Sequence, residues 1–177
     1  MRFFLAALLL TLMTTVQVSA GEFEDGMEAY RNKDFASARV KWLPLAQSGH
    51  TFAMNNVGMM YKKGYGVPKD FKKAAKMFRQ SAEQGFSLAQ YNLAGMYQTG
   101  KGVKKNRQEA FKWMLRAANS KYARAQRKIA LWREKGFGVK KNNVKAMEWY
   151  LIAQSNTQGG RLREKLDEAI FKLKKKL

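Results

Sequence analysis

Apolar residues along the middle of this chain recur three or four positions apart, the spacing that puts side chains on one face of an α-helix. Ala53, Val57, Met60 and Tyr61 form one such face, in a segment of roughly residues 52 to 63 that stops at Gly64. Glycine there is free to take the left-handed backbone that ends helices. A second face follows at Ala74, Met77, Phe78 and Ser81. It begins after Asp70, whose side-chain oxygen is suited to accept from a free backbone N–H at a helix start. The pattern predicts two short helices joined by a glycine-bearing turn.

That unit recurs in register. Residues 53–88, 89–124 and 125–160 align without gaps at a spacing of 36. Ala53 matches Ala89 and Ala125; Gly64 matches Gly100 and Gly136; Gly66 matches Gly102 and Gly138; Val67 matches Val103 and Val139. In the second helices Ala74, Ala110 and Ala146 coincide, as do Phe78, Met114 and Tyr150. Small residues at these positions let helices approach closely while large ones fill the space between layers. Asn106 and Asn142 take the starting position of Asp70, and Glu109, three residues beyond Asn106, predicts a capping box. A shortened copy over residues 22–52 precedes the three: Ala38, Trp42, Ala46 and Gly49 match Ala74, Phe78, Ala82 and Gly85, but its central turn lacks the Gly-x-Gly-Val insert. Atypical end units are expected where a repeat array meets water. After Gly159 and Gly160, Leu162, Leu166, Ile170 and Leu173 recur at helical spacing through a lysine-rich segment, predicting a basic capping helix over residues 161–177.

"NNVGMMYKKGYGVPKDFKKAAKMFRQSAEQG" and "YNLAGMYQTGKGVKKNRQEAFKWMLRAA" carry a fuller pattern: Gly-x-x-Tyr-x-x-Gly-x-Gly-Val, then Asp or Asn, then alanines about an aromatic. This pattern resembles the Sel1-like repeat, a relative of the tetratricopeptide repeat, and the resemblance covers residues 21–160. It implies an all-α fold, a right-handed α/α superhelical solenoid of helix pairs, and a role as an adaptor in protein complexes. The first helix of each pair is expected to line the concave side. Three departures stand out. Arg133 occupies the position of Tyr61 and Tyr97, Asn106 and Asn142 replace the usual Asp, and Lys121 and Thr157 replace a Gly85-type terminator.

The chain opens with Met1-Arg2, runs without charge from residue 3 to 13 and reaches Val18-Ser19-Ala20 before an acidic stretch. A cation, an apolar core short of the roughly 20 residues a bilayer span needs, and small residues at the cleavage point are the layout of a secretory signal peptide. Residues 1–20 are therefore expected to be removed after Ala20, leaving a periplasmic or secreted chain. No cysteine is present, so disulfides do not hold the fold.

The formal net charge is +21. Such an excess favours acidic partners or polyanions and opposes self-association, so a monomer is expected. In an exported protein the available polyanions are envelope polymers and lipid headgroups rather than nucleic acid. The acids crowd the start, at Glu22, Glu24, Asp25, Glu28 and Asp34, while residues 101 to 145 hold only Glu109 and Glu134 among many cations.

Chemistry for catalysis is sparse. His50 is the single histidine, and without cysteine a metal site would need scattered carboxylates. Some cysteine-rich relatives are credited with hydrolysing beta-lactams, but their paired cysteines are missing and no Ser-x-x-Lys set stands in context. Gly100-Lys101-Gly102 superficially suggests a phosphate loop. A Walker loop, however, follows a buried strand, has four residues between its glycines and opens a helix with Lys-Ser/Thr. Here the glycines end a helix and recur with the repeat. No catalytic residue, cofactor or metal is assigned; a hydrolase with an unrecognised site is the remote alternative.

Two surfaces are candidates for partner binding. The first is a ridge of turn lysines, Lys69, Lys105 and Lys141 at equivalent positions with Lys101, Lys104 and Lys140 beside them, none required by the repeat. The second lies on the first helices, where Asn56, Asn92 and Lys128 are equivalent and Asn55, Tyr91 and Arg127 are neighbours. These donors suit an extended peptide or its carboxylate. The sequence thus reads as an exported, non-enzymatic adaptor for an acidic protein, with binding to anionic lipid or glycan through bulk charge as the alternative.

Overall fold

The structure is a computed structural model and describes residues 21–177. The signal-peptide expectation falls on residues 1–20 and lies outside the described residues. Helix α1 occupies residues 21–31, followed by α2 (Phe35–Gln47), α3 (Thr51–Lys63), α4 (Phe71–Glu83), α5 (Ser87–Thr99), α6 (Arg107–Asn119), α7 (Ala123–Lys135), α8 (Asn143–Ser155) and α9 (Gly160–Lys174). The described residues contain no strand. The chain divides into two compact units, one up to Met77 and one from Phe78 to Leu177, with the boundary inside α4.

In the first unit α2 packs on α3 around Trp42, which is 1% exposed, with Ala38, Ala53, Val57 and Met60 in the same cluster. Phe23, Met27 and Tyr30 of α1 close it. The Trp42 Nε1–H donates to the Phe23 carbonyl at 3.1 Å. This approach needs Gly26, where a Cβ would lie 2.3 Å from Trp42 Nε1. His50 starts α3, its Nδ1 accepting from the Ala53 N–H at 3.2 Å while its ring lies 5.0 Å from that of Phe23. The single histidine is therefore a helix cap.

In the second unit α5 packs on α6, α6 on α7, α7 on α8 and α8 on α9. Ala89, Leu93, Ala110, Met114, Ala125 and Ile129 are buried along the faces that the periodicity marks. Two buried glutamines at equivalent repeat positions join successive pairs. Gln90 and Gln126 donate through Nε2 to the Ala82 and Ala118 carbonyls, each at 3.1 Å, and Gln126 Oε1 also accepts from Asn156 at 3.1 Å. At the end of the chain Leu166, Ile170 and Leu173 of α9 pack with Ala146, Tyr150 and Ala153 of α8. The Tyr150 hydroxyl meets Glu134 at 3.3 Å, and burial, followed by that carboxylate, pushes its pKa up to about 12.

The turn inside each pair is the same construction three times. Gly64, Gly100 and Gly136 end the first helix in the left-handed region, at φ 79°, 76° and 71°. The N–H of Asp70, Asn106 or Asn142 then donates back to the carbonyl of Tyr61, Tyr97 or Arg133, at 2.9, 3.0 and 2.8 Å. Because this bond uses only backbone, Arg133 replaces tyrosine without disturbing it. The side chains of Asp70, Asn106 and Asn142 accept from the N–H three residues on, at 2.9, 3.0 and 2.8 Å. The expected capping box at Asn106 is only half formed. The Asn106 N–H is already given to Tyr97, and the Glu109 carboxylate turns to Lys112 at 2.8 Å.

The second glycine of the turn serves packing. A Cβ on Gly66 would lie 2.4 Å from the Phe35 carbonyl oxygen, and one on Gly138 would lie 2.2 Å from that of Arg107. In each unit the turn thus presses on the first residue of an earlier second helix. The turn between pairs uses a left-handed residue too: Gly49 and Gly85 at φ 92° and 91°, but Lys121 at φ 60°. Thr157 does not follow; after α8 the left-handed conformations fall on Gly159 and Gly160.

Two predictions separate strain from packing. Gly136→Ala and Gly138→Ala impose alanine at nearly equal φ, 71° and 68°. The first meets only ordinary contacts from 3.5 Å outward, whereas the second meets a backbone oxygen. Urea unfolding should show a loss of about 1 kcal/mol for Gly136→Ala from the left-handed conformation alone, and a clearly larger one for Gly138→Ala. Lys121→Gly should relieve the left-handed strain and raise Tm by about 2–4 °C in a thermal melt.

Candidate functional site

The second unit carries a half-open groove of about 330 Å³ lined by Tyr91 of α5, Arg124, Arg127 and Lys128 of α7, and Arg161, Leu162 and Lys165 of α9. Helical spacing explains the set. Positions 124, 127 and 128 share a face of α7, and 161 and 165 share a face at the start of α9. Five cations and no carboxylate therefore surround one concavity.

None of the five is in an ion pair among the described residues. The Nε of Arg127 is buried and meets no hydrogen-bond acceptor among them. The Lys128 ammonium lies 5.5 Å from the centre of the Trp132 ring. Burial, then the like charges of Arg127 and Lys135, holds its pKa below the ordinary lysine value. The Tyr91 ring is braced edge-on by Tyr122 at 5.3 Å. An arrangement of this kind is electrostatically incomplete and suited to an anion.

The expected first-helix surface is brought together in part. Lys128, Arg127 and Tyr91 line the groove. Asn92 is buried at 8% exposure, Asn55 at 2%, and Asn56 donates to the Met27 sulfur at 3.5 Å in the first unit. The sequence did not mark Arg124, Arg161 and Lys165, and it marked Leu162 only as part of the apolar stripe of the capping helix. The i, i+3, i+4 spacing of Arg124, Arg127 and Lys128 was a visible signal, but nothing in the repeat told which face of α9 would stand beside α7.

The turn lysines are all exposed: Lys69 in the first unit, and Lys101, Lys104, Lys105, Lys140 and Lys141 in the second. Lys104, Lys105, Lys140 and Lys141 form no ion pair among the described residues. The equivalent lysines do have a packing role at their stems. Cβ atoms of Lys69, Lys105 and Lys141 lie 3.4, 3.1 and 3.5 Å from the Cβ position of Gly64, Gly100 and Gly136. The joint thus uses the Cβ and leaves the ammonium groups in water. Among the described residues no group of three or more His, Asp or Glu is placed to hold a metal ion, and no helix is long and apolar enough to cross a membrane.

Short helix pairs of constant length, joined by a left-handed glycine turn and stacked at a fixed period, define a helical-repeat protein. The chain belongs to the Sel1 repeat family, whose model matches residues 51–86, 87–122 and 123–153. It is similar to the solved structure of a Sel1 repeat protein from Oxalobacter formigenes, at 34% identity over 77% of this chain and 56% of that one, with a TM-score of 0.73. It is also similar to a protective antigen present in uropathogenic Escherichia coli strains that displays an SLR fold, at 29% identity over 85% of this chain and 33% of that one, with a TM-score of 0.76. The cysteine rich protein B of Helicobacter pylori shares the fold, at 18% identity over 71% of this chain and 90% of that one, with a TM-score of 0.56. The chain therefore spans about half the length of the first of these structures and a third of the second. A search of curated protein sequences found no match. The Sel1 repeat fold is generally a scaffold for protein–protein interaction, and its members are typically non-catalytic.

Proposed function

We propose that this protein is an exported, non-enzymatic adaptor that docks an acidic protein partner through the cations of its second unit. The observation that carries the reading is the set of cations without an ion pair among the described residues, the five of the groove with Lys104, Lys105, Lys140 and Lys141 on the turns, displayed by a fold that generally binds proteins. Export is supported by the layout of residues 1–20, with its charge, short apolar core and Val18-Ser19-Ala20. The high net charge supports a monomer.

Charge alone also favours a second reading, association with anionic lipid or glycan. The two differ in how they respond to place. Docking should be weakened by Lys105→Glu with Lys141→Glu far more than by Lys72→Glu with Lys76→Glu, an equal change on exposed positions of α4; bulk attraction should respond equally to both. Capture of acidic proteins from an envelope extract, with anionic vesicles in a parallel arm, reads the difference. Binding that persists unchanged at about 1 M salt, where the Debye length is about 3 Å, removes both readings. For export, mass spectrometry of the protein recovered from the envelope or medium should find a chain beginning at Gly21; an intact Met1 terminus there would refute cleavage.

A further inference from the structure

We infer that the groove between α5, α7 and α9 seats an extended segment of the partner carrying carboxylates at alternating positions. The inference rests on the adaptor reading and specifies its site and ligand.

Charge compensation comes first. Acids on α7 and α9 hold other groups: Glu134 pairs with Lys176 at 2.8 Å and meets the Tyr150 hydroxyl, Asp167 pairs with Arg163 at 3.3 Å, and Glu168 pairs with Lys172, with Arg127 and Lys165 acting on it only without an ion pair. Glu168 offsets part of the charge of Arg127 and Lys165, and the five cations find the rest of their counter-charge in a ligand or in solvent. Three of them are arginines, whose planar forks match carboxylates two bonds at a time. Arg127 brings a buried Nε without an acceptor.

Spacing favours an extended chain over a compact anion. The cations sit on two helices, α7 and α9, that line one groove. Alternate side chains of an extended peptide point the same way and are separated by about 6.8 Å. One carboxylate can therefore address Arg124, Arg127 and Lys128 while the next addresses Arg161 and Lys165. A single phosphate would satisfy one wall and leave the other unneutralised. Tyr91 and Leu162 supply apolar surface on which the methylenes of glutamate side chains pack, so glutamate suits the groove better than aspartate. The volume of about 330 Å³ lies at the small end of the roughly 300–1,000 Å³ of ligand sites and accommodates two or three side chains.

The test is fluorescence anisotropy on the purified chain with a labelled peptide alternating glutamate and alanine. A second peptide has the same number of glutamates spaced three apart, which sends them to opposite sides. The alternating peptide should bind at least threefold more tightly. Arg161→Glu with Lys165→Glu, both exposed on α9, should weaken it tenfold or more, whereas Lys104→Glu with Lys140→Glu should change it less than threefold. Equal losses in the two double variants overturn the groove assignment. Equal affinity for the two peptides overturns the alternating register. If the wild-type chain binds neither peptide while its turn-lysine-dependent capture of acidic proteins persists, the groove is refuted and the adaptor reading stands. Displacement of the peptide by phosphatidylglycerol vesicles, themselves lost with Arg161 and Lys165, would assign the groove to lipid and overturn the peptide. Should the α9 variant fail to fold, hydrogen exchange on the wild-type chain decides: added peptide should slow α7 and the start of α9, and slowing confined to other segments refutes the site.

Discussion

The close approach of a turn to the backbone of an earlier helix is the constraint on which the rest of this structure depends. At Gly138 the turn lies against the Arg107 carbonyl so tightly that no Cβ fits, and in the first unit Gly66 meets Phe35 in the same way. That contact fixes where a helix pair sits along its predecessor, and so which side chains of neighbouring first helices come abreast. The adjoining elements follow from it. A left-handed glycine turns the chain, a backbone bond from Asn142 to Arg133 closes the turn, and the Asn142 side chain starts the next helix. Because each bond is made by backbone or by a short polar side chain, the exposed ends of the turn residues are left free to vary. Lysine occupies them here.

Polar satisfaction supplies the second link between pairs. A buried side-chain amide left without a partner costs on the order of 1–3 kcal/mol. Gln90 and Gln126 place theirs on the Ala82 and Ala118 carbonyls of the preceding helix, which also accept from the Gly85 and Lys121 N–H groups. The stacking of pairs is thus specified by directional bonds as well as by alanine and leucine faces. Gln126 also accepts from Asn156 at the end of α8, which joins the two helices of the last pair to the same network.

The sequence and the structure agree where a local rule governs. The helices, their starts at Asp70, Asn106 and Asn142, and their ends at Gly64, Gly100 and Gly136 were legible because each depends on residues a few positions apart. Lys121 keeps the left-handed turn without glycine, since the bonds around it outweigh its strain: the Lys121 and Tyr122 N–H groups are given to Ala118 and Ala117. Glu109 looked like half of a capping box, but the joint had already taken the Asn106 N–H. The groove was the least legible part. Tyr91, Arg127 and Lys128 were identified from the repeat, yet Arg161 and Lys165 belong to a helix outside it. Their placement depends on how Leu166, Ile170 and Leu173 seat α9 on α8, a tertiary outcome with no counterpart in the period.

That seating also explains why the basic character of the chain becomes a directed feature. Charges spread over a convex surface repel weakly, because water and salt lie between them. Burying the stems of Arg127 and Lys128 beside α9 places cations in a concavity where solvent screens them less, and the depressed pKa of Lys128 records that cost. A capping helix needs only a polar outer face and an apolar inner one, and many residues would serve at 161 and 165. With arginine and lysine there, the cap continues the cationic wall begun on α7 instead of neutralising it. Acids are available on the same helix, at Glu164, Asp167 and Glu168, but Asp167 and Glu168 are directed to Arg163 and Lys172. The cap thus keeps its ion pairs on its own surface and, although Glu168 offsets part of the charge of Arg127 and Lys165, presents an excess of positive charge to the groove, whose repulsion an incoming carboxylate relieves.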